Sequence, residues 1–148
     1  MKSLEDKLRT YITERGLRIT PQRLAVLRAV IRLAPDHFDA CRLLAALTLD
    51  KRTRGFARAT VYRTLDHLVD AGILRRLHLA SGAAVYELVA GGEHHEHLIC
   101  ERCGKIIEFE SPEIESLQDK ICRKLGFAPT SHILRIEGIC RECGADAG

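Results

Sequence analysis

Two cysteine pairs carry the sharpest chemistry in this chain of 148 residues: Cys100-x-x-Cys103 and, 36 residues further on, Cys140-x-x-Cys143. Each pair closes a tight knuckle, so the two together can present four thiolates to one tetrahedral ion, the coordination of structural zinc. The interval exceeds the ~15–20 residues of an ordinary zinc ribbon. An ion held here would therefore staple a whole hairpin-helix-strand unit. Four Cys leave no position for water, so the expected role is structural. Two disulfides or four buried thiols are the competing readings. Cys41 and Cys122 stand alone among Leu and Ile, the pattern of small core residues.

A second cluster precedes the first pair: Glu93-His94-His95-Glu96-His97. Alternate side chains of a strand face opposite ways, so His95 and His97 share one face while His94 and Glu96 share the other. One strand can thereby serve two ions, each with nitrogen and oxygen ligands. Such mixed sets suit divalent Fe, Mn, Ni, Co or Zn rather than copper(I). A solvated polar edge explains one or two of these residues but five in a row poorly. A zinc hydrolase site with an open water position is a reading from another class.

A third constellation is basic and aromatic. An apolar stripe through Val61, Leu65, Leu68 and Val69 leaves Tyr62, Arg63, Asp66 and His67 on the outer face of a helix. Arg63 is able to reach a phosphate or a guanine edge, and the Tyr62 ring to pack on a thymine methyl. The helix N-terminus and the Thr60 hydroxyl suit a phosphate. Arg18 suits a minor groove or the backbone, and Arg52, Arg54 and Arg58 add salt-sensitive attraction. The plain alternative is that these charges solvate an exposed face. His67 and His78 have no ligand cluster beside them and read as surface or DNA-side residues.

The elements that must position these groups follow from periodicity and punctuation. Ser3 caps a first helix with Leu4, Leu8, Tyr11 and Ile12 on one side, ended by Gly16. Thr20 and Pro21 open a second, with Leu24, Leu27, Val30 and Ile31 inward. Asp39 caps a third with Leu43, Leu44 and Leu47, and the basic loop 51–55 leads to the Tyr62-Arg63 helix, stopped by Gly72. Strands at 73–79 and 83–89 join at Ser81-Gly82. That order is a winged helix-turn-helix. Gly91-Gly92 marks the boundary, giving domains 1–90 and 91–148. Beyond it the sequence predicts a strand through 97–99, a hairpin to 105–110, a helix from Ser111-Pro112 burying Ile114, Leu117, Ile121 and Leu125, and a last strand over 132–139.

Charge divides at the same place. The first 89 residues carry 16 Lys and Arg against 9 Asp and Glu, a balance of +7; the remainder carries 7 against 11, or −4. The basic part is suited to a polyanion and the acidic part to something else. No apolar run approaches the ~18 residues of a membrane span, and the segment MKSLEDKLRT lacks the apolar core of a signal peptide. The expectation is a cytoplasmic chain without membrane contact, in which thiols serve metals more often than disulfides.

The phrase Ala59-Thr60-Val61-Tyr62-Arg63-Thr64-Leu65, then Ala71-Gly72, then His94-His95-Glu96-His97-Leu98-Ile99-Cys100-x-x-Cys103-Gly104-Lys105 resembles the ferric uptake regulator family, over about Leu17 to Cys143. The resemblance implies an α+β fold: an N-terminal winged helix-turn-helix domain followed by a small α/β dimerisation domain. It implies a metal-responsive repressor, not an enzyme, acting as a homodimer or a tetramer on a palindromic AT-rich operator in double-stranded DNA. Carried over by position, structural Zn2+ falls on Cys100, Cys103, Cys140 and Cys143. The regulatory divalent metal, Fe2+ or another, falls on His37, Glu87, His95 and His97 with Glu108. An additional metal falls on His94, Glu96, Glu115 and His132, and DNA contacts on Arg18, Tyr62 and Arg63, joining Arg58 and Thr60 as read from the residues themselves. A zinc sensor of the family usually places a Cys in the regulatory site and a peroxide sensor an Asp at the positions of Glu87 and Glu108. The nitrogen and glutamate set here favours iron, with manganese and nickel left open. Ala57 stands where Ser or Gly is usual, and Glu96 where Asp is frequent.

Overall fold

The computed structural model describes residues 2–34, 37–79, 81–89, 96–130 and 132–145, and the chain divides into two units, residues 1–92 and 93–148. Four helices build the first unit: α1 (Lys2–Glu14), α2 (Pro21–Leu33), α3 (Ala40–Leu49) and α4 (Arg58–Asp70). α1 already runs at Lys2, so Ser3 lies inside its first turn and not at the cap position. The other expected caps form. The Thr20 hydroxyl accepts from the amide of Arg23 at 3.3 Å ahead of Pro21, and the Asp39 carboxylate accepts from the amide of Arg42 at 2.7 Å. Each satisfies an N–H that has no intrahelical partner. At the far end of α4, Gly72 adopts φ 62°, the left-handed conformation that glycine takes without strain. Its amide bonds the carbonyl of Val69, and that of Ile73 bonds Leu68, both at 2.9 Å, closing a Schellman cap.

The stripes of these helices meet in one core. Leu8, Ile12, Val26, Leu27, Val30, Leu43, Leu65, Leu68 and Ile73 are fully buried; each contributes roughly 1.5–3 kcal/mol by leaving water. Polar ties fasten α1 to α4: the Tyr11 hydroxyl donates to Asp70 at 2.9 Å, and the Lys7 ammonium to the carbonyl of Gly72 at 2.8 Å. Against the helices lies a sheet of order β1-β3-β2, with β1 (Phe38–Asp39), β2 (Leu74–His78) and β3 (Ala84–Leu88) antiparallel throughout. The β2–β3 hairpin is the expected wing. The two-residue β1, absent from the sequence reading, pairs Phe38 with Tyr86 and Asp39 with Val85. Cys41, one residue past its buried neighbour Ala40, is exposed on α3 rather than a core residue.

The second unit centres on β4 (Glu96–Cys100), antiparallel to β5 (Ile106–Phe109) and parallel to β6 (Arg135–Gly138). The crossover between β5 and β6 carries α5 (Pro112–Lys124), capped by Ser111, and a short α6 (Arg141–Ala145) follows β6. The last strand is thus shorter than the span 132–139. Among the described residues this unit buries only Glu96, His97, Ile99 and Cys100. Among the described residues, the expected inward face of α5 is not covered: Ile114 is half-buried, while Leu117, Ile121 and Leu125 are exposed, Leu125 to 69%. Cys122 is half-buried. A three-stranded sheet, α5 and the five-residue α6 give so short a unit too little surface to cover that face.

Candidate functional site

The four cysteines of the two knuckles converge. Cys100 ends β4, Cys103 sits in the turn to β5, and Cys140 and Cys143 flank the start of α6. Their sulfurs all lie within 4.8 Å of one another, and Cys103 Sγ stands 3.8 Å from Cys140 Sγ. That separation matches the edge of a tetrahedron whose centre lies ~2.3 Å from each sulfur, the zinc–thiolate distance. Backbone amides aim at the sulfurs as in metal knuckles: Cys140 N–H donates to Cys100 Sγ at 3.4 Å and Cys143 N–H to Cys140 Sγ at 3.5 Å. Amide donors from Cys103 and Cys140 hold the Cys100 thiol down to about 6, whereas bonding to the neighbouring thiols, Cys140 foremost, pushes Cys143 up to about 12. Crowded sulfurs cannot all ionise together without a cation among them. The donor set and its geometry fit Zn2+. No disulfide joins any of the six cysteines.

A second cluster in the same unit gathers Glu96 from β4, Glu115 from α5 and His132 from the segment before β6, again with ligand atoms within 4.8 Å. His132 Nε2 lies 4.0 Å from Glu96 Oε1. Glu96 is 1% exposed, and neither of its oxygens accepts a hydrogen bond among the described residues. A carboxylate taken from water without donors is costly unless a cation compensates it. The cluster fits a divalent ion with oxygen and nitrogen ligands. His94, expected beside Glu96, lies outside the described residues.

The regulatory set divides between the units. In the first, His37 immediately precedes β1, and its Nε2 lies 3.0 Å from Oε2 of Glu87 on β3, both side chains mostly buried. In the second, His97 and Glu108 face one another across the β4–β5 pair, with His97 buried and Glu108 exposed. His95 lies outside the described residues. Sequence reasoning missed Arg75, which stands opposite Glu87 in the β2–β3 register and donates from Nη1 to Glu87 Oε1 at 2.7 Å.

On α4 the inward stripe Val61, Thr64, Leu65 and Leu68 turns Tyr62 (41% exposed), Arg63 and Arg58 outward. Ala57 stands at the N-cap with no side-chain hydrogen bond, so no side chain competes there for an incoming anion. Thr60 is half-buried, and Arg18 is exposed ahead of α2. His67 differs from its surface reading: it is half-buried, its ring 6.0 Å from that of Tyr11, and burial, reinforced by Arg23, lowers its pKa. Asp66 and the Tyr86 ring hold Arg76, tying α4 to the hairpin.

Comparison with known proteins converges on one family. The model of the ferric uptake regulator family matches residues 14–137. The ferric uptake regulation protein of Neisseria gonorrhoeae is 40% identical over 134 residues, covering 90% of this chain and 91% of its own. Among solved structures, the Helicobacter pylori ferric uptake regulator, described as having three functional metal-binding sites, superposes with a TM-score of 0.80 at 31% identity, over 97% of this chain and 93% of its own. The Francisella tularensis regulator, solved with iron, gives 0.73 at 34% identity, over 87% and 96%. The winged-helix unit, the small α/β unit and the metal-ligating clusters together agree with these matches: the chain belongs to the ferric uptake regulator family.

Proposed function

We propose that this metal-responsive transcriptional regulator senses a divalent metal, Fe2+ before others, through His37, Glu87, His95, His97 and Glu108. Loading promotes binding of a homodimer to a palindromic AT-rich operator in the cytoplasm. The observation that carries the reading is the His37–Glu87 pair, 3.0 Å apart in the winged-helix unit. It offers one nitrogen and one carboxylate, too few ligands for an ion of this class. His95, His97 and Glu108 belong to the other unit, so a complete set requires both, and ligand supply becomes a statement about how the units are arranged. The metal shifts that arrangement only by its greater affinity for one state. A divalent cation supplies charge and coordination here, with no redox or hydrolytic step. The hydrolase alternative falls with family membership, since the family comprises regulators rather than enzymes.

Residues 1–90 form the DNA-reading part in this account. Tyr62 and Arg63 meet base edges in the major groove, Thr60 and Arg58 the flanking phosphates, and Arg18 the backbone or minor groove. Residues 91–148 hold Zn2+ on Cys100, Cys103, Cys140 and Cys143 as a permanent crosslink, hold a further ion on His94, Glu96, Glu115 and His132, and mediate dimerisation. Support for a homodimer comes from the apolar surface of this unit: Leu117, Leu125, Phe127 and Ile133 are each more than half exposed, and the unit also carries a groove of ≈160 Å³ lined in part by Leu98, Ile107, Ile136 and Ile139. Soluble monomers rarely leave such a surface open.

His37→Ala and His95→Ala test the division of roles. Both variants should lose metal-dependent DNA binding while retaining one zinc per chain, measured by gel shift and elemental analysis. Loss of that zinc in either variant, or retention of the metal response in both, contradicts the assignment.

A further inference from the structure

Glu87 divides its carboxylate between two side chains of opposite consequence. Oε2 lies 3.0 Å from His37 Nε2, and Oε1 accepts from Arg75 Nη1 at 2.7 Å. Arg75 and Glu87 are direct partners across β2 and β3, with side chains only 22% and 13% exposed. A short, charge-assisted bond in such a setting is stronger than an ordinary surface ion pair.

On the reading of His37 and Glu87 as metal ligands, this contact bears on affinity in three ways. An ion approaching from His37 meets Oε2, while chelation by both oxygens requires Arg75 to let go of Oε1. The guanidinium also keeps its charge at every accessible pH and repels a cation bound to the same carboxylate. Acting the other way, Arg75 restricts the rotamers of Glu87, a gain of at most about tenfold in affinity. The Coulomb effect acts on both charges of a divalent ion in a partly buried site, and it exceeds the rotamer gain.

We propose that Arg75 is a positioning residue that weakens the regulatory site: by holding one oxygen of Glu87 and placing a fixed positive charge beside it, Arg75 raises the metal concentration at which the protein responds. It coordinates nothing itself and acts through Glu87.

The test uses the full-length, zinc-loaded chain and Mn2+ as probe, with free Mn2+ followed by EPR. The binding step abolished by His97→Ala defines the regulatory site. In Arg75→Gln, which keeps an N–H donor without the charge, that step should tighten by about tenfold or more. Arg75→Lys keeps the charge and should stay within about threefold of the parent. Thermal unfolding of the variants without Mn2+ checks that the hairpin is intact. An unchanged or weaker step in a folded Arg75→Gln overturns the role of Arg75 alone. If His97→Ala removes no step from the parent chain, the assignment of the regulatory ligands fails, and the role of Arg75 with it.

Discussion

Glu96 is the residue whose surroundings make the strongest demand. It sits on the central strand of its sheet, 1% exposed, with both oxygens lacking a hydrogen-bond donor among the described residues. Without a cation this arrangement opposes folding, so Glu96→Met in the zinc-loaded chain freed of other metals should be neutral or stabilising by about 1–4 kcal/mol, read by urea unfolding. The same variant should lose one Mn2+-binding step. Marked destabilisation without metal would show that Glu96 is satisfied by protein groups. Strand alternation placed Glu96 opposite His97 in the sequence, and the structure buries both. Glu115 and His132 were legible only through the family resemblance, because neither has a ligand near it in sequence. Arg75 was not singled out from the sequence. Strands at 73–79 and 83–89 already set it across from Glu87, as observed, but a register names cross-strand neighbours without saying which of them share a hydrogen bond.

At the scale of elements, α4 serves two masters, a core on one side and an outward Tyr62-Arg63 pair on the other. Arg63→Ala and Tyr62→Ala should each weaken specific DNA binding by about 1–3 kcal/mol while leaving thermal stability within ~0.5 kcal/mol, because neither side chain enters the core. Anisotropy titration and thermal unfolding check the two halves of that statement. Tyr11→Phe should act in the opposite sense, costing roughly 1 kcal/mol of stability by removing the donor to Asp70 that fastens α1 to α4. The helices, the wing and every expected cap but Ser3 were readable because each depends on local punctuation: Thr20-Pro21, Asp39, Gly72. β1 was not, since two residues carry no periodicity and form a strand only because β3 offers an edge. The burial expected of α5 failed for a different reason. Its apolar spacing is real, but periodicity names a face that seeks cover without saying which chain covers it. Leu117→Glu with Leu125→Glu should therefore shift the protein from dimer to monomer in sedimentation, with little loss of helix content. A dimer that survives both charges would place the interface elsewhere.

For the whole molecule, the division of charge acquires a purpose. The +7 of the first 89 residues belongs to the winged-helix unit with its exposed Arg18, Arg58 and Arg63, and the −4 of the remainder to the unit that gathers carboxylates and thiols. No helix among the described residues is long and apolar enough to cross a membrane. Metal occupancy and DNA affinity are then linked quantities. Binding of either one strengthens the other by the same factor, and a coupling of 1–3 kcal/mol corresponds to roughly 5–150-fold. The most direct test is a gel-shift titration of a palindromic AT-rich duplex with the zinc-loaded protein, run with Fe(II), Mn(II), Ni(II), added Zn(II) and chelator. Metal-gated operator binding requires tight binding with Fe(II), weaker binding by at least about fivefold with chelator, and no such difference in His37→Ala. Equal affinity with every metal and with chelator would contradict it.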